Sequence, residues 1–429
     1  MSDFLNIAAC VLPVLAACTA GCLLIILLVR YFVLPFRADV LVRLAGPAPV
    51  KARARKALPL GKVLATVLGL LLISRALIAL SGLLFCAIEG DVAQMIRDPL
   101  SLWSRWDASH YVGLAENWYV NEGDARFHLV FFPLYPLVVR GLHLALRMDA
   151  AWAGVLVSNA CLFVSGYALF RLAESQMGDQ AAGRALKYLM FAPLSLFFSI
   201  PYSESMFLML TLVAVLLAHR RHFVWAVLVG ALASGTRVLG LIVAVPIFYE
   251  CLLVVKEKKG GVKMALGYAL LTCVVALGFV GYLYLNKWVS GDPLRFLTYQ
   301  SEHWSQQMGT LWGTLEYTLK NAFVYDNLGM RLGTWMPQLA AILATMALIC
   351  AAYRRVSAGD GAYALIYLYF AIAPTWLLSG ARYLTAMYAL YLLLAAVTRK
   401  AWQDRAVMAT SILLTLYFVY MYLISGSVL

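Results

Sequence analysis

Apolar stretches of about twenty residues, the length that crosses the ~30 Å hydrocarbon layer of a bilayer, recur along this chain with short polar segments between them. Taken in order they predict helical spans at approximately 5–30, 63–88, 151–172, 186–201, 204–219, 222–236, 238–255, 264–286, 336–353, 361–378, 383–398 and 406–426. That is a bundle of about 12 transmembrane helices with both ends on one side. The first stretch, Leu5 to Leu34, is too long for a signal-peptide core and has no basic region before it, so it reads as a retained span. The stretch Leu129 to Arg147 holds Pro133, Pro136, Arg140 and His143. It is predicted as an interfacial or re-entrant helix, because a full crossing there would put the polar segments at 219–222 and 256–263 on opposite sides from the other basic loops.

Composition agrees with the pattern. Of 429 residues, 63% are hydrophobic and 13% charged, against about 45–50% and about 25% in a soluble domain. One soluble core cannot absorb that surplus. The net charge of +13 would suggest nucleic acid, but its placement argues otherwise. Most of the 34 basic residues fall between apolar runs, at 30–62, 171–187, 220–221, 256–263, 354–355 and 399–405. Such clusters mark cytoplasmic loops and attract anionic headgroups, and they exclude a nucleic-acid partner. The eight cysteines lie within apolar runs with no metal spacing, so no disulfide framework or metal site is implied.

Two outer loops, 89–150 and 287–335, are then long and rich in tryptophan, which ordinarily anchors at the headgroup level. The first carries the densest polar cluster, Ser104-Arg105-Trp106-Asp107-Ala108-Ser109-His110-Tyr111. In a helix, Asp107, His110 and Tyr111 share one face at i, i+3, i+4. A carboxylate beside a tryptophan at the apolar boundary suits general-base work on a hydroxyl. An interfacial helix with its charged face in water accounts for the same residues. Glu89-Gly90-Asp91 and Glu122-Gly123-Asp124 read first as turns and only second as cation-binding pairs.

Several short motifs recur in a telling order: Ser74-Arg75, Trp106-Asp107, His110-Tyr111, Phe131-Phe132-Pro133-Leu134-Tyr135-Pro136, Ser158-Asn159, Pro201-Tyr202-Ser203-Glu204-Ser205, Thr236-Arg237 with Gly240, Gly291-Asp292-Pro293-Leu294, and Ser379 with Arg382-Tyr383. With these the chain, from about Leu72 onward, resembles a bacterial-type member of the PIG-V mannosyltransferase family of GT-C glycosyltransferases. It departs at Trp118, where that family commonly has glycine, at Val238, where a proline often follows the arginine, and in its extra first span. The resemblance implies an all-α polytopic membrane fold, GT-C-like. It divides the chain into an N-terminal helix and basic cytoplasmic loop (1–62), a catalytic transmembrane module (63–335) and C-terminal helices (336–429).

The resemblance also implies a chemistry. A polyprenyl-phosphate sugar, with mannose as the sugar, would give up its glycosyl group to a glycolipid or glycan hydroxyl in an inverting single displacement. The lipid phosphate leaves without protonation, so one base suffices, and Asp107 is the candidate. Arg237 and Arg382, with His110 and Arg105 behind them, are the candidates for binding the donor phosphate. Tyr111, Tyr135, Tyr202 and Glu204 are candidates for holding the acceptor or supporting the site, and no cofactor or metal is expected. Each arginine could instead anchor at the interface, and Glu204 could merely cap a helix; Arg75, mid-span, is expected to be structural. The site would face outward from a bacterial cytoplasmic membrane, or the lumen of the endoplasmic reticulum in a eukaryote. A transporter or flippase of lipid-linked sugars is the alternative, and a non-catalytic scaffold a third reading.

Overall fold

The computed structural model describes residues 2–36, 57–89, 92–100 and 103–425. Most of the expected N-terminal basic loop, and Gly90-Asp91, lie outside them. Helix dominates and no strand occurs among the described residues, apart from one isolated bridge between Met308 and Pro374. Among the described residues, seven helices are long and apolar enough to cross a membrane: Val11–Phe32, Leu60–Ile88, Ala150–Met177, Val238–Glu257, Val262–Ser290, Leu328–Ala352 and Ala401–Leu423. The chain is a multi-pass membrane protein.

The five other expected crossings are shorter or broken. Glu204–His219, Phe223–Ser234, Ala358–Ile372 and Tyr388–Val397 are apolar but brief. The stretch expected at 186–201 is not one helix. Asp179–Met190 stops before Pro193, and a 3₁₀ turn at Ser195–Phe198 leads to Pro201. Proline has no N–H to give, and it turns the residue before it away from helical angles. The carbonyls so released need partners inside an apolar bundle. Arg75 supplies them from the Leu60–Glu89 helix, donating to Ser195 O (2.8 Å), Met190 O (3.2 Å) and Ser199 Oγ. Asn159 adds a bond to Ser199 O at 3.0 Å. The motifs Ser74-Arg75 and Ser158-Asn159 therefore hold a broken segment open.

The stretch around Leu129 to Arg147 is likewise no straight rod. A 3₁₀ turn, Asp124–Val130, meets the helix Leu134–Leu146 at 116°. The first helix, Ser2–Phe36, docks on the bundle through Leu23, Leu27 and Tyr31, whose hydroxyl donates to Val245 O at 2.6 Å. Arg30 is fully buried there and bonds Tyr353 O.

Polar groups gather at opposite ends of the Glu204–His219 helix, roughly 22 Å apart at 1.5 Å per residue. Around its C-terminal end lie His219–Glu250 and Arg221–Glu257, with Lys187–Asp404 and Gln176–Asp360 at neighbouring helix ends. Around its N-terminal end lies the candidate site. Close packing brings the site's segments together. A Cβ on Gly240 would sit 2.3 Å from the Ala233 carbonyl, backbone that cannot yield. Gly240→Ala is expected to lower stability by about 1–3 kcal/mol through overpacking, seen as a lower thermal midpoint of the detergent-purified protein. An unchanged midpoint would show that the Ala233 backbone gives way.

Candidate active site

Four chain segments deliver one charged cluster. Asp107 opens the helix Asp107–Asn117, Glu204 opens Glu204–His219, Arg237 follows Phe223–Ser234, and Arg382 lies in the short helix Gly380–Thr385. Arg382 Nη2 donates to Asp107 Oδ2 at 2.6 Å, and its Nε lies 3.2 Å from Glu204 Oε1. Arg237 Nη1 donates to the same Glu204 oxygen at 2.8 Å and to Ser203 Oγ at 3.2 Å. Ser203 in turn shares a 2.8 Å bond with the Tyr111 hydroxyl. Two carboxylates thus face two guanidiniums, a balance that makes burying them tolerable.

Exposure is graded across the cluster. Side-chain exposure is 1% for Glu204, 5% for Arg382, 15% for Arg237 and 25% for Asp107. A ligand meets Asp107 first. Aromatic faces wall the arginines: Arg382 lies 5.0 Å from the Tyr202 ring centroid and 5.4 Å from Phe197, and Arg237 lies 4.7 Å from Tyr383. Such rings favour a cation without supplying a negative charge that an anionic ligand would have to displace. Glu204 Oε2 is buried with no hydrogen-bond partner among the described residues.

The predicted residues divide. Asp107, Glu204, Arg237 and Arg382 converge, joined by Tyr111, whose buried phenol is held protonated well above its ordinary range. Arg105 does not join them. Its guanidinium turns to Tyr422 O (3.3 Å) and Leu423 O (2.9 Å), carbonyls at the end of the last helix. Tyr135 and Tyr202 are fully buried. The Tyr135 hydroxyl meets Ser158 Oγ (2.9 Å), and the Tyr202 hydroxyl donates to Arg105 O (3.2 Å), so both hydroxyls are engaged by neighbouring protein groups. His110 lies one turn beyond Asp107, and burial lowers its proton affinity, with Asp107 opposing and His303 assisting that shift.

Sequence reasoning missed the partner of His110. His110 Nδ1 is 3.0 Å from Nε2 of His128. The two are 18 residues apart, so no helical spacing links them, and the only signal was that both are histidines of the same loop. Among the described residues no group of three His, Cys, Asp or Glu side chains forms a metal site. Gly123, with φ of 59°, makes Glu122-Gly123-Asp124 a turn.

Two tryptophans flank the Asp107 helix in backbone conformations that a bulky residue avoids. Trp106 has φ 52° and ψ −126°, and Trp118 has φ 62° and ψ −167°. The second lies in a region that is essentially glycine's, at a cost of order 1–3 kcal/mol. This gives a physical reason for the glycine expected at that position.

A family model described as Mannosyltransferase (PIG-V) matches residues 62–287. That stretch includes Asp107, Glu204 and Arg237 and stops short of Arg382. The GPI alpha-1,6-mannosyltransferase 2 of Rattus norvegicus is 30% identical over 219 residues, 46% of this chain and 43% of the relative. The Homo sapiens protein of the same name is 29% identical over 170 residues, 36% and 33% of the two chains. The GPI mannosyltransferase pigv-1 of Caenorhabditis elegans is 28% identical over 137 residues, 29% and 20%. The matched region spans less than half the length of each of these relatives.

Proposed function

Because the chain belongs to the PIG-V mannosyltransferase family, we propose that it transfers mannose from a polyprenyl-phosphate donor to a hydroxyl of a glycolipid or glycan acceptor. The relatives' names supply the sugar and the class of acceptor. The observation that carries the reading is the Asp107–Arg382–Glu204–Arg237 cluster, with its carboxylate at the open edge and its guanidiniums behind.

The proposed reaction is an inverting displacement. The acceptor oxygen attacks C1 of the sugar as the bond from C1 to the phosphate oxygen breaks, and the acceptor proton passes to Asp107. The electron pair of the broken bond stays on the lipid phosphate, which Arg382 and Arg237 stabilise as its charge grows. In the resting geometry Arg382 holds Asp107 Oδ2. An arriving phosphate therefore competes with the base for that arginine, and its binding frees the carboxylate to accept a proton. Glu204, 3.2 Å from Arg382 Nε, keeps an opposite charge beside that arginine while this exchange occurs.

The fold of this proposal is a GT-C-like bundle with the cluster at the outer face, opposite the basic loops, and Leu134–Leu146 lying along the interface. A bacterial cytoplasmic membrane is the setting that the motifs suggest. The transporter reading loses ground at Arg75. Its guanidinium is spent on main-chain carbonyls and does not line a path across the membrane.

The test is sugar transfer by purified protein in lipid nanodiscs, with a membrane-lipid extract as acceptor. Synthetic polyprenyl-phosphate mannose is expected to yield mannosylated lipid, and a nucleotide-activated mannose to yield none. Transfer from the nucleotide sugar alone would overturn the assignment of donor.

A further inference from the structure

His110 and His128 share a hydrogen bond whose direction matters. At 3.0 Å between His110 Nδ1 and His128 Nε2, one nitrogen must carry the hydrogen and the other must accept it. The rings lie 4.8 Å apart and tilted by 56°. The Phe131 and Trp304 rings also lie beside His110, at 5.2 Å and 6.4 Å between centroids. With Nδ1 committed, Nε2 is the one ring nitrogen His110 can offer a ligand.

Among the described residues, the charged and titratable groups around the pair are few. Asp107 stands one turn earlier on the same helix, and His303 approaches from Arg295–Trp304. Arg140, from the helix packed beneath, is turned away to the carbonyls of Ala115 and Glu116. Burial disfavours the cation at His110, and in the neutral ring the tautomer decides what it can do.

We propose that His128 is a positioning residue: it donates from Nε2 to His110 Nδ1 and so fixes His110 as the Nε2–H tautomer, a neutral hydrogen-bond donor for the phosphate of a lipid-linked sugar. This rests on the polyprenyl-phosphate donor proposed above and on the sequence expectation that His110 stands behind Arg237 and Arg382 at its phosphate. The opposite tautomer would turn a lone pair toward the phosphate and repel it. A neutral donor also suits the neighbourhood. The cluster of Asp107, Glu204, Arg237 and Arg382 is already balanced in charge, and a further buried cation would be costly. An N–H adds a bond that strengthens as charge builds on the leaving phosphate, with no charge of its own to desolvate.

The test pairs two substitutions. His128→Gln keeps an amide N–H at about the reach of Nε2, while His128→Phe keeps the ring's bulk and loses the donor. Protein labelled with ¹⁵N-histidine, its resonances assigned by single substitutions, reports the tautomer of His110, and binding of polyprenyl phosphate is measured on the same samples. Wild type and His128→Gln are expected to show His110 protonated at Nε2, with affinities within about threefold of each other. His128→Phe is expected to lose the single tautomer and to bind roughly tenfold more weakly, the worth of one hydrogen bond. Finding His110 protonated at Nδ1 in wild type, or undiminished binding by His128→Phe, overturns the proposal. If the tautomers behave as expected but wild type binds no polyprenyl phosphate, the donor reading falls, and with it the ligand assigned to His110.

Discussion

Asp107→Asn protein is expected to bind polyprenyl-phosphate mannose and to transfer almost none of it. The amide has nearly the shape of the carboxylate, and its oxygen can still accept from Arg382 Nη2, which now reaches Asp107 Oδ2 at 2.6 Å. What it lacks is an atom basic enough to take the acceptor's proton. Removing a general base typically costs about 10²–10⁴ in rate. The cluster loses one negative charge, but at its most exposed position, where water softens the imbalance. Initial rates of transfer, with donor binding measured separately, check this. Transfer within a few-fold of wild type would remove Asp107 from the chemistry and require another group as the base.

A second large effect belongs to stability. Glu204→Ala is expected to destabilise the protein by about 3–5 kcal/mol, the usual consequence of leaving buried charges without their partner. Arg237 and Arg382 both lean on Glu204 Oε1, and its side chain is 1% exposed, so no water is at hand to replace it. Thermal unfolding in detergent would show a much lower midpoint. A companion measurement guards the interpretation: adding Arg237→Gln to Glu204→Gln should cost less than the two single changes summed, because the double variant removes a pair. Strict additivity, or a midpoint unmoved by Glu204→Ala, would mean that the carboxylate is not what holds the arginines in place.

The long helices were legible because a bilayer demands about twenty apolar residues in a row, and hydropathy measures that directly. The short and broken ones were not. A window average over 186–201 registers apolar side chains, whereas the break there depends on Pro193 and on an arginine 115 to 124 positions away in sequence. Arg75 was expected to be structural, but the carbonyls it serves could not be read from its own neighbourhood. The site was legible in part for a similar reason. Asp107 and Tyr111 share a helix, so their spacing announces them; Glu204 and Arg382 meet only through the fold, and the resemblance to a family had to supply them. Arg105 shows the limit of residue type. A cation beside Asp107 looks like a phosphate ligand in sequence, yet its partners are two backbone carbonyls more than 300 residues later. Trp118 was noticed as a departure from glycine, but strain is a property of φ and ψ and has no signature in composition.

The way the charged cluster is divided along the chain sets an order for its birth. Asp107, Glu204 and Arg237 all emerge from the ribosome well before Arg382, and until that arginine arrives the two acids face a single guanidinium. The loop carrying Asp107 is pinned later still, when Arg105 finds the carbonyls of Tyr422 and Leu423. A nascent chain already threaded through most of its spans therefore lacks one of the cluster's two guanidiniums and the anchor of the Asp107 loop. The charge balance of the cluster is therefore completed only when the C-terminal helices are in place.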